Sequence, residues 1–345
     1  MNERATLKDI ADLAGVSLTT VSQTLNNKGA ISKSTRTRVL EVAEQLGYQQ
    51  RSAKSSEARL NTLTMLVKRD PDEKSPNPFH YYVMKGVEEQ ARQLGLELRF
   101  SSLSVDENSR ALELPSQLDI RNTDGFLIVG AVVENGAAFS EHIGDRPAVF
   151  INGALQDADC DGVDIDNRKG TFEATRHLIN QGHRYIGFVG GGKNTHPSIG
   201  ERREGYARAM REQGLSDIHF ADSIILSPEY GAEATKELLE NQPQLTALVA
   251  ATDNVAIGAL SAARTLGLSV PEDLSLVGFD DLPGVEHLSP PLSTMAVNKE
   301  LMGSWGVKLL YDFAAQRDRP CLSVLVSPKL IPRSTVASPR LREVT

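Results

Sequence analysis

The spacing of apolar residues changes character once along the chain, near residue 60. Before that point Leu7, Ile10, Leu13 and Ala14 recur at three- and four-residue intervals, the period of a helix with one buried face. Thr6, three residues ahead of Asp9, gives that helix a capping-box-like start. Gly15 breaks the period as a left-handed helix end would, Val16 packs inward, and Ser17 offers an N-cap oxygen to a second helix. Val21 and Leu25 set the buried side of the second helix. At about 100° per residue, Thr19, Ser22, Gln23 and Asn26 then form a small-polar outer face. Asn27-Lys28-Gly29 reads as a turn, Ser32 or Ser34 as a cap, and residues 36–46 as a third helix closed by Gly47. Ile10, Leu13, Val21, Leu25, Ile31, Val39, Ala43 and Leu46 are the expected miniature core. Two short helices around a tight turn can present a reading face to DNA. The same pattern also describes a helical hairpin whose polar side is only solvated.

From Leu63 the pattern becomes short apolar runs alternating with amphipathic stretches. Strands are expected at 63–67, 96–101, 125–129, 148–151, 185–189, 223–226, 247–251 and 274–278, and helices at 83–94, 168–181, 201–213, 233–242 and 254–266. Repeated βα units imply parallel sheets with right-handed crossovers, and this length exceeds one comfortable core, so two α/β lobes are expected. Ligands of such sheets sit beyond the carboxyl ends of the strands. The segments there are Asn77-Pro78-Phe79-His80-Tyr81-Tyr82, Asn152-Gly153, Arg202, Thr252-Asp253-Asn254 and Asp280-Asp281. An aromatic platform with Asp, Asn and Arg suits a polyol ring, which has apolar faces and hydroxyls needing donors and acceptors. Each polar residue also has a plainer reading: Asp253 as the cap of the following helix, Asp280 as the organiser of a turn.

Composition narrows the class. The 345 residues, 40% hydrophobic and 24% charged, describe a globular chain rather than a disordered one. No apolar run approaches the roughly 20 residues of a membrane span and no signal-like segment opens the sequence, so a cytoplasmic protein is expected. The net charge of −8 conceals an asymmetry: residues 1–60 carry nine Lys/Arg and six Asp/Glu, a net +3 that leaves −11 for the rest. A basic N-terminal piece on an acidic body fits a partner with phosphates at one end only. Cys160 and Cys321 give neither a disulfide framework nor metal-ligand spacing and are expected to be buried free thiols. Gly190-Gly191-Gly192 is not a phosphate-binding motif, His183 reads as structural, and none of the seven histidines has metal-site spacing or a nucleophile partner. Catalytic residues, metal and cofactor are therefore all expected to be absent.

The spelling of residues 6–26, T-L-x-D-I-A-x-L-A-G-V-S-x-x-T-V-S-x-x-L-N, closely resembles the N-terminal headpiece of the LacI/GalR family of bacterial transcription regulators. The likeness continues through Ile31-Ser32-Lys33, Thr35-Arg36, Val39 and Leu46-Gly47-Tyr48, and more thinly over 63–338. It implies an all-α helix-turn-helix headpiece at 1–50, a hinge at 51–62, and at 63–345 a bilobal α/β core of doubly wound parallel sheets like that of periplasmic binding proteins. The lobes would comprise 63–164 with 295–321, and 165–294 with 322–340, with crossings near Asp164, Thr294 and Leu322.

By position the resemblance also implies phosphate contacts from Thr6, Ser17, Thr20, Ser22, Asn26, Ser32 and Thr35, which set register rather than sequence. Base reading falls to Leu18, Thr19 and Gln23, since Gln pairs with adenine and Leu or Thr touches a thymine methyl. Leu18, about 60° from Val21 around the helix, alternatively borders the core. Relatives often carry arginine at Gln23. The hinge departs from the family pattern: Gln50 and Arg51 stand where Pro and Asn are usual, and Glu57 replaces the leucine that wedges into the minor groove. In the core the likeness marks Phe79, His80, Asn152, Arg202, Asp253 and Asp280 as effector-binding positions, with Leu226 where relatives stack an aromatic ring. The implied protein is a repressor of carbohydrate-related genes, a homodimer on a near-palindromic operator, responsive to a sugar or sugar derivative. A free-standing solute-binding protein or an enzyme on the same core are the competing readings.

Overall fold

The computed structural model describes residues 6–25, 31–46, 60–70, 77–113, 122–192, 195–223, 225–316 and 319–340. The chain divides into two compact units, Met1–Arg59 and Leu60–Thr345.

In the first unit α1 (Leu7–Ala14), α2 (Leu18–Leu25) and α3 (Lys33–Gln45) pack on one another. Thr6 and Asp9 form a reciprocal capping box, and Gly15 closes α1 at φ 63°, ψ 41°, a left-handed geometry in which a side chain would be strained. The core is Ile10, Ala11, Ala14, Val21, Val39, Val42 and Ala43, with Leu7, Val16 and Leu46 partly buried against it. Leu13 is not in it: the side chain is 62% exposed. The inward stripe of α1 is centred between Ile10 and Ala11, which leaves Leu13 about 110° away around the helix. Ile31 is only half-buried, and α3 starts earlier than expected because the Ser32 hydroxyl accepts from the Thr35 N–H at 3.2 Å. The side chain of Leu25, the turn at 27–29, Gly47-Tyr48 and the hinge residues Gln50, Arg51 and Glu57 lie outside the described residues, as does Asn26.

The second unit opens with β1 (Thr62–Arg69), α4 (Pro78–Leu94), β2 (Glu97–Ser104), β3 (Gly125–Val129), β4 (Val132–Val133), α5 (Gly136–Ile143), β5 (Ala148–Ile151), β6 (Ala154–Leu155) and β7 (Asp161–Ile165). It continues with α6 (Asn167–Asn180), β8 (Ile186–Val189), α7 (Pro197–Glu212), β9 (His219–Ala221), α8 (Pro228–Asn241), β10 (Ala247–Ala250), α9 (Asp253–Thr265), β11 (Ser275–Asp280) and β12 (Ser293–Ala296). The last elements are α10 (Lys299–Ala315), β13 (Ser323–Val326) and β14 (Lys329–Ile331). Two six-stranded sheets result, ordered β13-β7-β5-β3-β1-β2 and β14-β12-β11-β10-β8-β9. The first is parallel throughout; in the second only β14 runs antiparallel, against β12. The first sheet's core gathers Leu66, Leu103, Phe126, Ile128, Phe139 and Phe150, and in the second lobe Phe188, Tyr206 and Phe220 stack edgewise or tilted, 5.4–6.0 Å apart.

The chain crosses between lobes at Asp166, at Val297-Asn298 and after Val326. The third crossing falls later than Leu322 because Ser323–Val326 pairs in parallel with β7 and so belongs to the first lobe. The expected strand at 223–226 is also displaced. Phe220, packed on Phe188 and Tyr206, pulls the edge strand to His219–Ala221, and Ser223 makes only an isolated bridge to Gly191. Helix α10 packs on α4 at very close range: a Cβ on Gly303 would come 2.1 Å from the Val83 carbonyl oxygen. Gly303→Ala should therefore lower stability by about 1–3 kcal/mol through overpacking. The check is the thermal unfolding midpoint, which should fall; an unchanged midpoint would show that the two helices have room for a methyl group.

Candidate DNA interface and effector cleft

In the first unit the hydroxyl groups collect at helix starts. The Ser17 and Thr20 hydroxyls are 2.9 Å apart, and the Thr20 N–H donates to Ser17 Oγ at 3.1 Å. Around the start of α3, Ser32 Oγ lies 2.8 Å from Thr35 Oγ1 and 3.1 Å from Ser34 Oγ. Helix N-termini carrying free amide dipoles and hydroxyl donors are favourable places for anions. Thr6 donates its N–H and its hydroxyl to the Asp9 carboxylate at 2.6 and 2.7 Å, so a phosphate would have to compete with Asp9 there. Leu18 is 50% exposed, and Thr19 and Gln23 are exposed as well, whereas Val21 is fully buried. Ser22 is half-buried.

The second unit brings its predicted residues together where the strands of both sheets end. Arg202 on α7 is buried with three anchors: Nε donates to Asn167 Oδ1 at 2.8 Å, Nη1 to the Ala251 carbonyl at 2.6 Å, and Nη2 to Asp280 Oδ1 at 3.4 Å. Its guanidinium lies 3.7 Å from the centroid of the Phe279 ring, a close cation–π contact. Asp280 ends β11 at φ 113°, unusual for a residue with a side chain, and its carbonyl accepts from the Lys299 ammonium. Burial pushes the Asp280 carboxyl up, against the charges of Arg202 and Lys299.

Asp253 does not cap α9; Thr252 does, accepting from the Val255 N–H. Instead Asp253 spends both carboxylate oxygens inside the lobe, accepting from Thr294 Oγ1 at 2.6 Å and from the Leu282 N–H at 2.7 Å. Burial, then the Asp280 charge, raises its pKa to about 7, opposed by those two bonds. Leu226 is half-buried beside Gly190, next to the Ala251 turn that Arg202 holds. In the Gly190-Gly191-Gly192 turn the first two residues have positive φ, and a Cβ on Gly191 would collide with Ile199 at 2.2 Å, so the turn serves close packing against α7.

From the first lobe come Phe79 and His80 at the start of α4, with rings 5.9 Å apart and edge-on, and Asn152 in a left-handed conformation after β5. Two partners escaped the sequence reading. Lys68 donates to Ser109 Oγ at 2.9 Å and to Asp70 at 3.2 Å. His196 caps α7, its Nδ1 accepting from the Ser198 N–H at 3.3 Å. Burial, followed by the charges of Lys68 and His196, pushes the His80 imidazole down to about 3. Burial, Lys68 and Arg202 do the same to His196, against the nearby Asn152 carbonyl. His80 from one lobe and His196 from the other are thus neutral neighbours. His196 Nε2 and Asn152 Oδ1 are buried without a hydrogen-bond partner, an arrangement that costs free energy until something fills it. No histidine spacing reveals this pairing; it arises from the approach of the two lobes. A recess of about 430 Å³ lined by Tyr82, Asp281, Leu282, Glu286, Lys299 and Arg333 shares Lys299 with the cluster. Elsewhere His183 is structural, its ring nitrogens bonded to Thr246, Ser275 and the Ala337 carbonyl.

Residues 6–50 match the family described as bacterial regulatory proteins, lacI family, and residues 175–336 match a periplasmic binding protein-like domain. The HTH-type transcriptional repressor CytR of Escherichia coli (strain K12) is 32% identical over 313 residues, 89% of each chain. The chain belongs to the LacI family. It is accordingly a ligand-responsive, DNA-binding transcriptional repressor. Among solved structures, a LacI family regulator from Enterococcus faecium with bound ribose superposes with a TM-score of 0.68 at 25% identity, covering 81% of this chain and 99% of that one. The transcriptional regulator CelR in complex with cellobiose gives 0.67 at 26% identity, covering 96% and 100%. Among the described residues no helix is long and apolar enough to cross a membrane, and no cluster could hold a metal ion.

The histidines set a pH dependence whose sign can be worked out. His80 titrates near 3 when folded and near 6.5 when unfolded, so the unfolded chain binds the extra proton between those values. Stability from neutral His80 is complete above 6.5 and lost as pH falls, amounting to about 2 kcal/mol by pH 5. Asp253 and Asp164, both raised to about 7, act in the opposite sense, gaining stability as pH falls below 7. The comparison must therefore be between variants: the unfolding midpoint of His80→Gln should fall less steeply than that of the parent between pH 7 and 5. Parallel curves would place His80 in a solvated site.

Proposed function

We propose that the chain represses transcription as a homodimer on a near-palindromic operator, and that a sugar or sugar derivative bound between its lobes changes operator affinity. Leu18, Thr19 and Gln23 read bases. Thr6, Ser17, Thr20, Ser22, Asn26, Ser32 and Thr35 engage phosphates; the exposure of Leu18, Thr19 and Gln23 and the hydroxyl groups at the starts of α2 and α3 support these roles. Two headpieces are required because one helix reads too few base pairs. Action on bacterial DNA places the protein in the cytoplasm, and its work is binding rather than catalysis.

The observation that carries the effector reading is the pair of unpartnered buried atoms, His196 Nε2 and Asn152 Oδ1, one from each lobe, beside the anchored Arg202. One needs a hydrogen-bond partner and the other needs a donor, which a hydroxyl group supplies in either role. Phe79 and Leu226 offer apolar surface for a ring face; His80, Arg202 and Asp280 offer polar groups. Asp253, with both oxygens occupied, positions the β11–β12 segment beneath the ligand. The effector acts only through a difference in affinity between the two lobe arrangements. The cellobiose and ribose held by the two structural neighbours support a carbohydrate.

Two experiments test these assignments. Gln23→Ala should relax sequence preference at one base pair in each half-site, by about 1–3 kcal/mol; an unaltered selection profile would remove Gln23 from base reading. In a thermal-shift screen of sugars, nucleosides and sugar phosphates, a compound that raises the parent midpoint should lose most of its effect on Asn152→Ala while that variant still binds operator. An undiminished shift would place the ligand elsewhere.

A further inference from the structure

The two cysteines, distant in sequence, meet at one edge of the first sheet. β13 pairs with β7 in parallel, with Ser323 opposite Gly162, and the last ladder bond runs from the Gly162 N–H to the Leu322 carbonyl at 2.9 Å. Continued two residues beyond the paired segment, the same register sets Cys321 opposite Cys160. The approach is held beyond the ladder by Asp161. This buried carboxylate accepts from the Leu322 N–H at 2.7 Å and from both Arg319 Nη groups at 2.9 and 2.6 Å. Neighbouring strands lie about 4.8 Å apart, inside the Cα separation a disulfide accepts, roughly 4.4–6.8 Å.

The faces agree as well. Side chains alternate along a strand, and residues opposite each other in a parallel pair share a face. Asp161, Val163 and Ile165 share one fully buried face of β7, so Cys160 shares the other, half-buried face with Gly162 and Asp164, and Cys321 shares it with Ser323 and Leu325. At Gly162 that face is open, since a Cβ there would meet nothing closer than 3.8 Å. Cys321 is exposed and free, and Cys160 is free and half-buried against the first-lobe core. The expectation of two buried thiols is therefore corrected for Cys321, whose segment lies on an edge strand.

We infer that Cys160 and Cys321 are a modification site, a reversible intrachain disulfide formed when the chain meets a peroxide. The exposed Cys321 thiolate takes an oxygen from hydrogen peroxide, giving a sulfenic acid and hydroxide. Cys160 then attacks that sulfur, the S–S bond forms, and the sulfenic oxygen leaves as water with the Cys160 proton. Two thiols and one peroxide give one disulfide and two waters, with two electrons passing from the sulfurs to the peroxide. The bond ties together the two first-lobe strands from which the chain crosses into the second lobe, closing a loop that contains that lobe from α6 to β12 and α10. It sits at the edge where the strands begin, the edge at which the chain enters this unit at Leu60–Thr62. Burial raises the Cys160 thiol to about 11, and Cys321 is raised too, so the reaction is slow at neutral pH and accelerates as pH rises.

The test uses the full chain treated with hydrogen peroxide at pH 7 and pH 9, alkylated, digested and mapped by mass spectrometry, with the unfolding midpoint followed in parallel. The expected result is loss of both thiols, a cross-linked peptide joining Cys160 to Cys321 that forms faster at pH 9, and a raised midpoint. Dithiothreitol should reverse all three effects, and both Cys321→Ser and Cys160→Ser should abolish them. Because Cys321 is exposed, Cys321→Ser keeps the fold in place as a control. Thiols that stay free, oxidation that stops at a sulfinic acid on Cys321, or cross-links only between two chains would each overturn the inference.

Discussion

Burying the Arg202 guanidinium is the constraint on which the cleft between the lobes depends. A cation taken out of water is tolerated only if its donors are met, and here Asn167, the Ala251 carbonyl and Asp280 meet them while the Phe279 ring lies against its face. Those partners come from the start of α6, the end of β10 and the end of β11, so one side chain fixes three loops of the second lobe. Asp280 is held in turn from the side of the lobe crossing, where Lys299 donates to its carbonyl. Removing either partner of this buried pair would leave the other charge uncompensated. The arrangement is rigid for that reason.

Where the two lobes meet, the quality is the opposite. His80 and His196 remain neutral beside Lys68 and Arg202, and His196 and Asn152 each leave one buried atom without a partner. A preformed, charge-satisfied floor on one lobe thus faces under-satisfied groups contributed by both. A ligand that supplies the missing hydrogen bonds favours the arrangement in which the lobes meet around it. In a LacI family repressor this preference is the free energy available for changing DNA affinity.

What could be read in the sequence follows the range of the signals. The Thr6–Asp9 box, the Gly15 helix end and the serines that cap α2 and α3 are local, and their roles are visible within four residues. Arg202, Asp280 and Asn152 could be nominated because βα alternation places their segments beyond strand ends. Lys68 and His196 could not, since their meaning lies in the approach of two lobes. Leu13 reads as core yet is exposed, because spacing alone does not say where the centre of an apolar stripe falls. A half-exposed edge strand of four residues carries little pattern, so the lobe to which β13 belongs is defined only by its pairing with β7. The same pairing sets Cys160 opposite Cys321, a relation that no spacing in the sequence announces.

Coupling between cleft and operator is reciprocal by thermodynamic necessity. The most direct measurement is therefore the affinity of a carbohydrate effector for the free protein and for the operator-bound protein, set beside operator affinity with and without that effector. The predicted result is a difference in effector affinity equal to the factor by which the effector changes operator affinity. Equal effector affinity for the free and operator-bound protein would contradict a cleft that controls DNA binding.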